Sequence, residues 1–210
     1  GHDSLSFLHN GTFSGGRHDD RITGAHYKGV FAAGPGNDFS AEQTGGTTRG
    51  GAGFDRVEQM SGDAVFNGGP LRDTVVDLLG SASFRGNKGN DVVEDQLGES
   101  ARFYGGPGHD AAERMTDRAR FEGGDDRDTV AWLYDLAVFT GGPKADSVGR
   151  QLGGVFAGNK GPDSVGDADA FHGLAAGLAN GGPGNDSVNI CAGGTGTADR
   201  MEIETTTTCP

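Results

Sequence analysis

The sequence predicts an all-β fold. It is a parallel β-solenoid, β-roll or β-helix-like, of about twelve coils of 18 residues with glycine-rich aspartate turns along one edge. Three observations carry this. Glycine supplies 41 of 210 residues, hydrophobic residues only 33%, and aspartate 22 of the 30 acids, a composition poor in helix formers and too lean for a large aliphatic core. Aspartate recurs behind a glycine-rich turn at Asp3, Asp20, Asp38, Asp55, Asp73, Asp91, Asp110, Asp128, Asp146, Asp163, Asp186 and Asp199, spaced 17 to 19 residues apart except for the final steps of 23 and 13. Apolar columns keep the same register. Leu5, Ile22, Val57, Val75, Val93, Val130, Val148, Val165, Val188 and Met201 stand two residues after an aspartate, and Phe13, Phe31, Phe66, Phe84, Phe103, Phe121, Phe139 and Phe156 stand 10 to 12 after one.

Each coil follows from these columns. Alternation around the Val position has period two and marks a first strand that buries one face. A weaker column at Leu79, Leu97, Met115, Leu133 and Leu152 closes that strand, and the Phe position marks the second strand. The glycine run that follows is a turn needing left-handed backbone. Only the coil around Thr44 to Gly53 lacks its Phe, and the coil from Asp163 to Asp186 is enlarged, with Asp167, Asp169 and His172 in what reads as a bulged surface loop. Coils stack about 4.8 Å apart, so twelve would make a rod roughly 50–60 Å long. Residues 1–190 form the repeat region and residues 191–210 a C-terminal cap.

The segments Gly105 to Asp110 (GGPGHD), Gly181 to Asp186 (GGPGND) and Gly50 to Asp55 (GGAGFD) resemble the RTX, or haemolysin-type, calcium-binding repeat. That family carries its motif every nine residues on both sides of a β-roll. Here it recurs about every 18, a modified single-column form. The resemblance implies one column of structural Ca2+ along one edge, held by Asp20, Asp38, Asp55, Asp73, Asp91, Asp110, Asp128, Asp146, Asp163 and Asp186. It also points to bacterial extracellular adhesin modules with single-column coils of similar length, some of which bind ice.

Charge physics gives the same expectation. Carboxylates about 5 Å apart repel by about 3 kcal/mol at an effective dielectric of 20, and calcium accepts six to eight carboxylate and carbonyl oxygens in flexible geometry. Asp in a turn also caps backbone, and Arg21, Arg56, Arg72 and Arg127 beside the anchors, with Lys88, Lys144 and Lys160 in the turns, could supply the counter-charge. A side chain replaces the glycine of the fourth turn position at His18, Leu71, Asp126 and Lys144. The best calcium turns are therefore those of Asp38, Asp55, Asp91, Asp110, Asp163 and Asp186. Seven calcium ions would bring the net charge from −13 to +1.

The chain opens on Gly1-His2-Asp3, the tail of a turn, which predicts an open N-terminal coil able to self-associate head to tail. Cys191 and Cys209 either form a disulfide clamping the C-terminal strand or stay as free thiols. A loop of that length is worth about 3 kcal/mol when closed. A disulfide and calcium together predict a secreted or cell-surface bacterial protein.

The acidic balance argues against nucleic acid, and no apolar run is long enough for a transmembrane segment. The acids follow the repeat rather than clustering, and no GxSxG elbow occurs, so no enzyme is expected. The expected function is a calcium-stiffened rod with structural, adhesive or assembly roles. Ice or glycan binding is the alternative, weakened for ice by Arg21, Phe39, Arg56 and Val92 in the column that follows each aspartate and by Glu58, Glu94 and Glu113 two residues beyond it. Arg102, Tyr104, Arg120 and Glu122 flank the Phe ladder as a mixed face for a glycan.

Overall fold

The computed structural model describes residues 1–168, 178–190 and 203–208. It is an all-β parallel solenoid. Among the described residues every named strand pairs in parallel with the equivalent strand one coil away, and the strands form two faces. The first face runs from Arg21–His26 through Phe39–Gln43, Arg56–Met60, Thr74–Leu78, Val92–Leu97 and Ala111–Met115. The second runs from Val30–Pro35 through Thr47–Ala52, Val65–Pro70, Ser83–Lys88, Arg102–Pro107 and Arg120–Asp125. The long strands Thr129–Gly142 and Ser147–Asn159 each pass through the corner and serve both faces.

The rod has about nine coils of about 18 residues, fewer than the twelve predicted. Ten aspartates from Asp20 to Asp186 are buried and bound those coils. Asp3 is exposed, and Asp199 lies outside the described residues, so counting anchors overcounts coils at both ends. Nine coils give a rod roughly 43 Å long.

The core is one side chain thick. Phe66, Phe84, Phe103, Phe121, Phe139 and Phe156 stack with centroids 4.5–5.2 Å apart and near-parallel rings. The Val column and the Leu or Met column, here Met60, Leu78, Leu97, Met115 and Leu133, fill the opposite side, so the sequence reading of Leu79 and Leu152 in that column is one residue off, and both are only half-buried. A ladder this narrow excludes water with few apolar residues, which reconciles a folded chain with 33% hydrophobic content. Thr48 takes the Phe position of its coil, in register with Phe31 and Phe66.

Candidate functional site: the buried aspartate column

The site grows from the turn. In the coil ending at Asp91, Gly86 lies at the end of the second strand, Asn87 holds φ +77° and Gly89 holds φ +137°. This reverses the chain and turns Asp91 inward. The other anchors do the same, and all ten carboxyls from Asp20 to Asp186 are at most 3% exposed.

Each carboxyl grips the neighbouring coil. The backbone N–H of Asp20 donates to Asp38 Oδ1 (2.7 Å), that of Asp38 to Asp55 (2.8 Å), Asp55 to Asp73 (2.9 Å), Asp73 to Asp91 (2.7 Å) and Asp91 to Asp110 (2.7 Å). The series continues from Asp110 to Asp128 and from Asp128 to Asp146, both 2.8 Å, then from Asp146 to Asp163 (2.8 Å) and from Asp163 to Asp186 (2.9 Å). Beside calcium, the sequence leaves open an aspartate that caps its own turn. Instead the cap crosses between coils and carries the sheet's hydrogen bonding around a corner where strand pairing stops.

The second oxygen is different. Oδ2 of all ten anchors is shielded from solvent and has no hydrogen-bond partner. In every coil but the one ending at Asp38, where Ala33 takes the position, it points at a glycine five residues earlier, where a Cβ would collide with it, as at Gly50, Gly68, Gly86, Gly105 and Gly123. A carbonyl from the next coil approaches the same point: Gly68 O is 2.9 Å from the Cβ position of Gly50, and Gly123 O is 2.6 Å from that of Gly105.

Burial without a partner for Oδ2 penalises the charged form. Burial, the largest influence, pushes Asp38 and Asp55 up to about 6 and about 7, opposed by the donated backbone hydrogen bond and helped by the neighbouring aspartates. The same influences bring Asp73 and Asp110 to about 8, and Asp128 and Asp163 to about 7. Asp91 rises to about 6 by burial, opposed by the donated backbone hydrogen bond and by Arg72, and Asp146 rises while Arg127 opposes it. The arginines thus divide. Arg72 and Arg127, one residue before an anchor, lie in the turn and act on the next coil's carboxyl, although Arg72 also reaches Glu94 at 3.9 Å. Arg21 and Arg56, one residue after an anchor, alternate onto the outer face: Arg21 lies over the Phe39 ring and Arg56 pairs with Glu94 at 2.8 Å. The suggestion that Arg21 and Arg56 neutralise the column does not hold, because period-two alternation aims them away from it.

The turns form two groups. At the fourth position Gly36, Gly53, Gly89 and Gly108 hold φ of +137° to +158°, whereas His18, Leu71 and Asp126 hold +76° to +85°. A side chain there forces a different turn. A second ladder, which the sequence reading missed, runs outside the first. Asn37 N–H donates to Asp19 Oδ1 (2.8 Å), Phe54 N–H to Asn37 Oδ1 (2.9 Å) and His109 N–H to Asn90 Oδ1 (2.9 Å). Its signal was an Asn or Asp directly before the anchor.

The donor chemistry is that of a hard divalent cation: unpaired carboxylate oxygens beside backbone carbonyls. Among the described residues no three His, Cys, Asp or Glu side chains converge as a ligand set. A cation here would therefore be held by about one carboxylate per coil, completed by turn carbonyls. Cys191 and Cys209, and with them the predicted disulfide, lie outside the described residues, as do Asp169 and His172.

The class defined so far is a parallel β-solenoid with an internal aspartate column. Compared with known proteins, the chain matches no family model, no curated protein and no solved structure.

Proposed function

We propose that the protein is a calcium-dependent structural rod, in which Ca2+ associated with the aspartate turns stiffens a solenoid used for adhesive or assembly roles outside the cell. The observation that carries this is the run of ten buried carboxyls, each with one oxygen unpaired. Such a run stays folded by holding protons, by holding cations, or where an arginine such as Arg72 or Arg127 opposes its charge. The RTX-like turns and the all-oxygen donor set favour calcium, and the binding energy then becomes folding energy. Turns with glycine at the fourth position, those of Asp38, Asp55, Asp91, Asp110, Asp163 and Asp186, have the backbone freedom that carbonyl ligands need.

Ice binding has weak support in the register itself. Arg21, Phe39, Arg56, Thr74, Val92 and Ala111 stand side by side in one column, too varied in size and charge for a lattice match.

The test is circular dichroism of the EDTA-treated chain during calcium titration, with bound calcium counted by elemental analysis. The expected result is a gain in β-signal and thermal midpoint with several Ca2+ bound per chain. A fold indifferent to EDTA, with no bound metal at millimolar calcium, overturns the proposal.

A further inference from the structure

One coil breaks the rule that the interior is apolar. In the coil between Asp38 and Asp55, the three inward positions carry Ser40 where its neighbours have Ile22 and Val57, Gln43 where the next coil has Met60, and Thr48 where they have Phe31 and Phe66. All three are buried: Ser40 is 1% exposed, Gln43 0% and Thr48 3%. His26, from the preceding coil, is fully buried beside them. The apolar core divides at this level. One cluster holds Leu8, Ile22, Phe31 and Ala33, and the other begins at Val57.

These side chains meet across the thin core. His26 Nδ1 lies 3.4 Å from Thr48 Oγ1, joining the first face to the second. Gln43 Nε2 donates to the Gly46 carbonyl (3.2 Å) and crosses to the Val65 carbonyl (3.1 Å). That leaves two acceptors enclosed in the same cross-section with no hydrogen-bond partner, Ser40 Oγ and Gln43 Oε1. Phenylalanine rings fill this level in neighbouring coils, where Thr48 is the smaller side chain. Burying two such oxygens unpaired is costly, whereas a polar enclosure offering two to four partners holds an ordered water.

From this we infer that the Ser40–Gln43–Thr48 coil is an internal hydration site: water held by Ser40 Oγ and Gln43 Oε1, within reach of the Thr48 and His26 pair, occupies the level where other coils stack phenylalanine. The ligand class is neutral water. Burial, the largest influence, lowers the His26 pKa and keeps the imidazole uncharged, and the donor set lacks a carboxylate. The site is independent of the aspartate column on the turn edge.

The test is magnetic relaxation dispersion of water deuterium and oxygen-17 on the intact chain, beside a Ser40→Val, Thr48→Val double variant. That variant removes both hydroxyls with little change of shape and leaves the Gln43 caps in place. The expected result is loss from the dispersion amplitude of at least one long-lived water, with a lower thermal midpoint, because Gln43 Oε1 loses its bridge. An unchanged amplitude with a raised midpoint overturns the inference: the hydroxyls were then dry and unsatisfied, and their removal relieved the cost. If the double variant does not fold, Ser40→Val alone gives the same two readouts.

Discussion

The aspartate column makes residue-scale demands that differ from glycine to glycine. Gly86 is small because Asp91 Oδ2 occupies the space of its missing Cβ, not because its backbone is left-handed. Gly86→Ala should therefore destabilise the chain by about 1–3 kcal/mol through overpacking against a carboxyl that its hydrogen bond holds in place. Urea unfolding measures this. Ala33 is a natural control, because it occupies the equivalent position before Asp38 and is fully buried. That turn already accommodates the methyl, so Ala33→Gly should shift the urea midpoint far less. Leu71 presents the opposite case. It holds φ +80° and is half exposed, so its side chain contributes strain and little packing. Leu71→Gly should raise stability by about 1 kcal/mol, while Leu71→Ala, which keeps the Cβ, should not.

Among the elements, the stacked strands were legible in the sequence because each buries one side chain per column at fixed offsets from the aspartate. The 17- to 19-residue spacing showed that coil length varies, but not where, because a residue gained or lost can be absorbed at either corner. The structure shows where it goes. Coils with Met60, Leu78, Leu97 or Met115 at the end of the first strand have a longer second corner, whose buried Ala64, Ala82, Ala101 or Ala119 donates its N–H back across the turn. The 17-residue coils starting at Asp38 and Asp146 lose a residue there and replace the apolar side chain with Gln43 or Gln151. Their Nε2 groups donate to the carbonyl three residues on, Gly46 at 3.2 Å and Gly154 at 3.3 Å. Glutamine thus caps the shortened corner, a role invisible until the corner's path is known. Gln151→Leu should cost about 1–3 kcal/mol by leaving the Gly154 carbonyl without its cap, despite matching the column's hydrophobic pattern. Amide exchange should place the loss at that corner and in the adjoining coils, since each coil contacts only its neighbours. The anchors were legible as a column for the same periodic reason, but their inward orientation was not. The turn dihedrals decide which way the carboxyl faces, and spacing says nothing about them.

For the whole molecule the decisive quantity is how the column's charge is balanced, and pH separates the two ways of balancing it. In the metal-free rod Asp38, Asp55, Asp73, Asp91, Asp110, Asp128 and Asp163 sit at about 6 to about 8, above the value of 3.8 taken for an unperturbed Asp. A folded value raised above the unfolded one means that the folded state holds more protons across the interval between them. The stability tied to those protons is complete below about pH 4 and is lost as pH rises through 6 to 8. In EDTA the thermal midpoint should therefore fall from pH 5 to pH 8.5, opposite to a protein whose carboxylates are salt-bridged. Calcium competes with the proton for the same oxygens, so millimolar calcium should raise the midpoint most at pH 8 and least at pH 5. The measurement is a set of thermal melts over this pH range with and without calcium. A midpoint in EDTA that rises toward pH 8 would show the column charged and already balanced by protein groups such as Arg72 and Arg127, and the rod would then need neither proton nor metal. A fall in EDTA that calcium does not relieve would leave the proton as the column's only counter-charge, and the solenoid would be one that loosens wherever its surroundings turn alkaline.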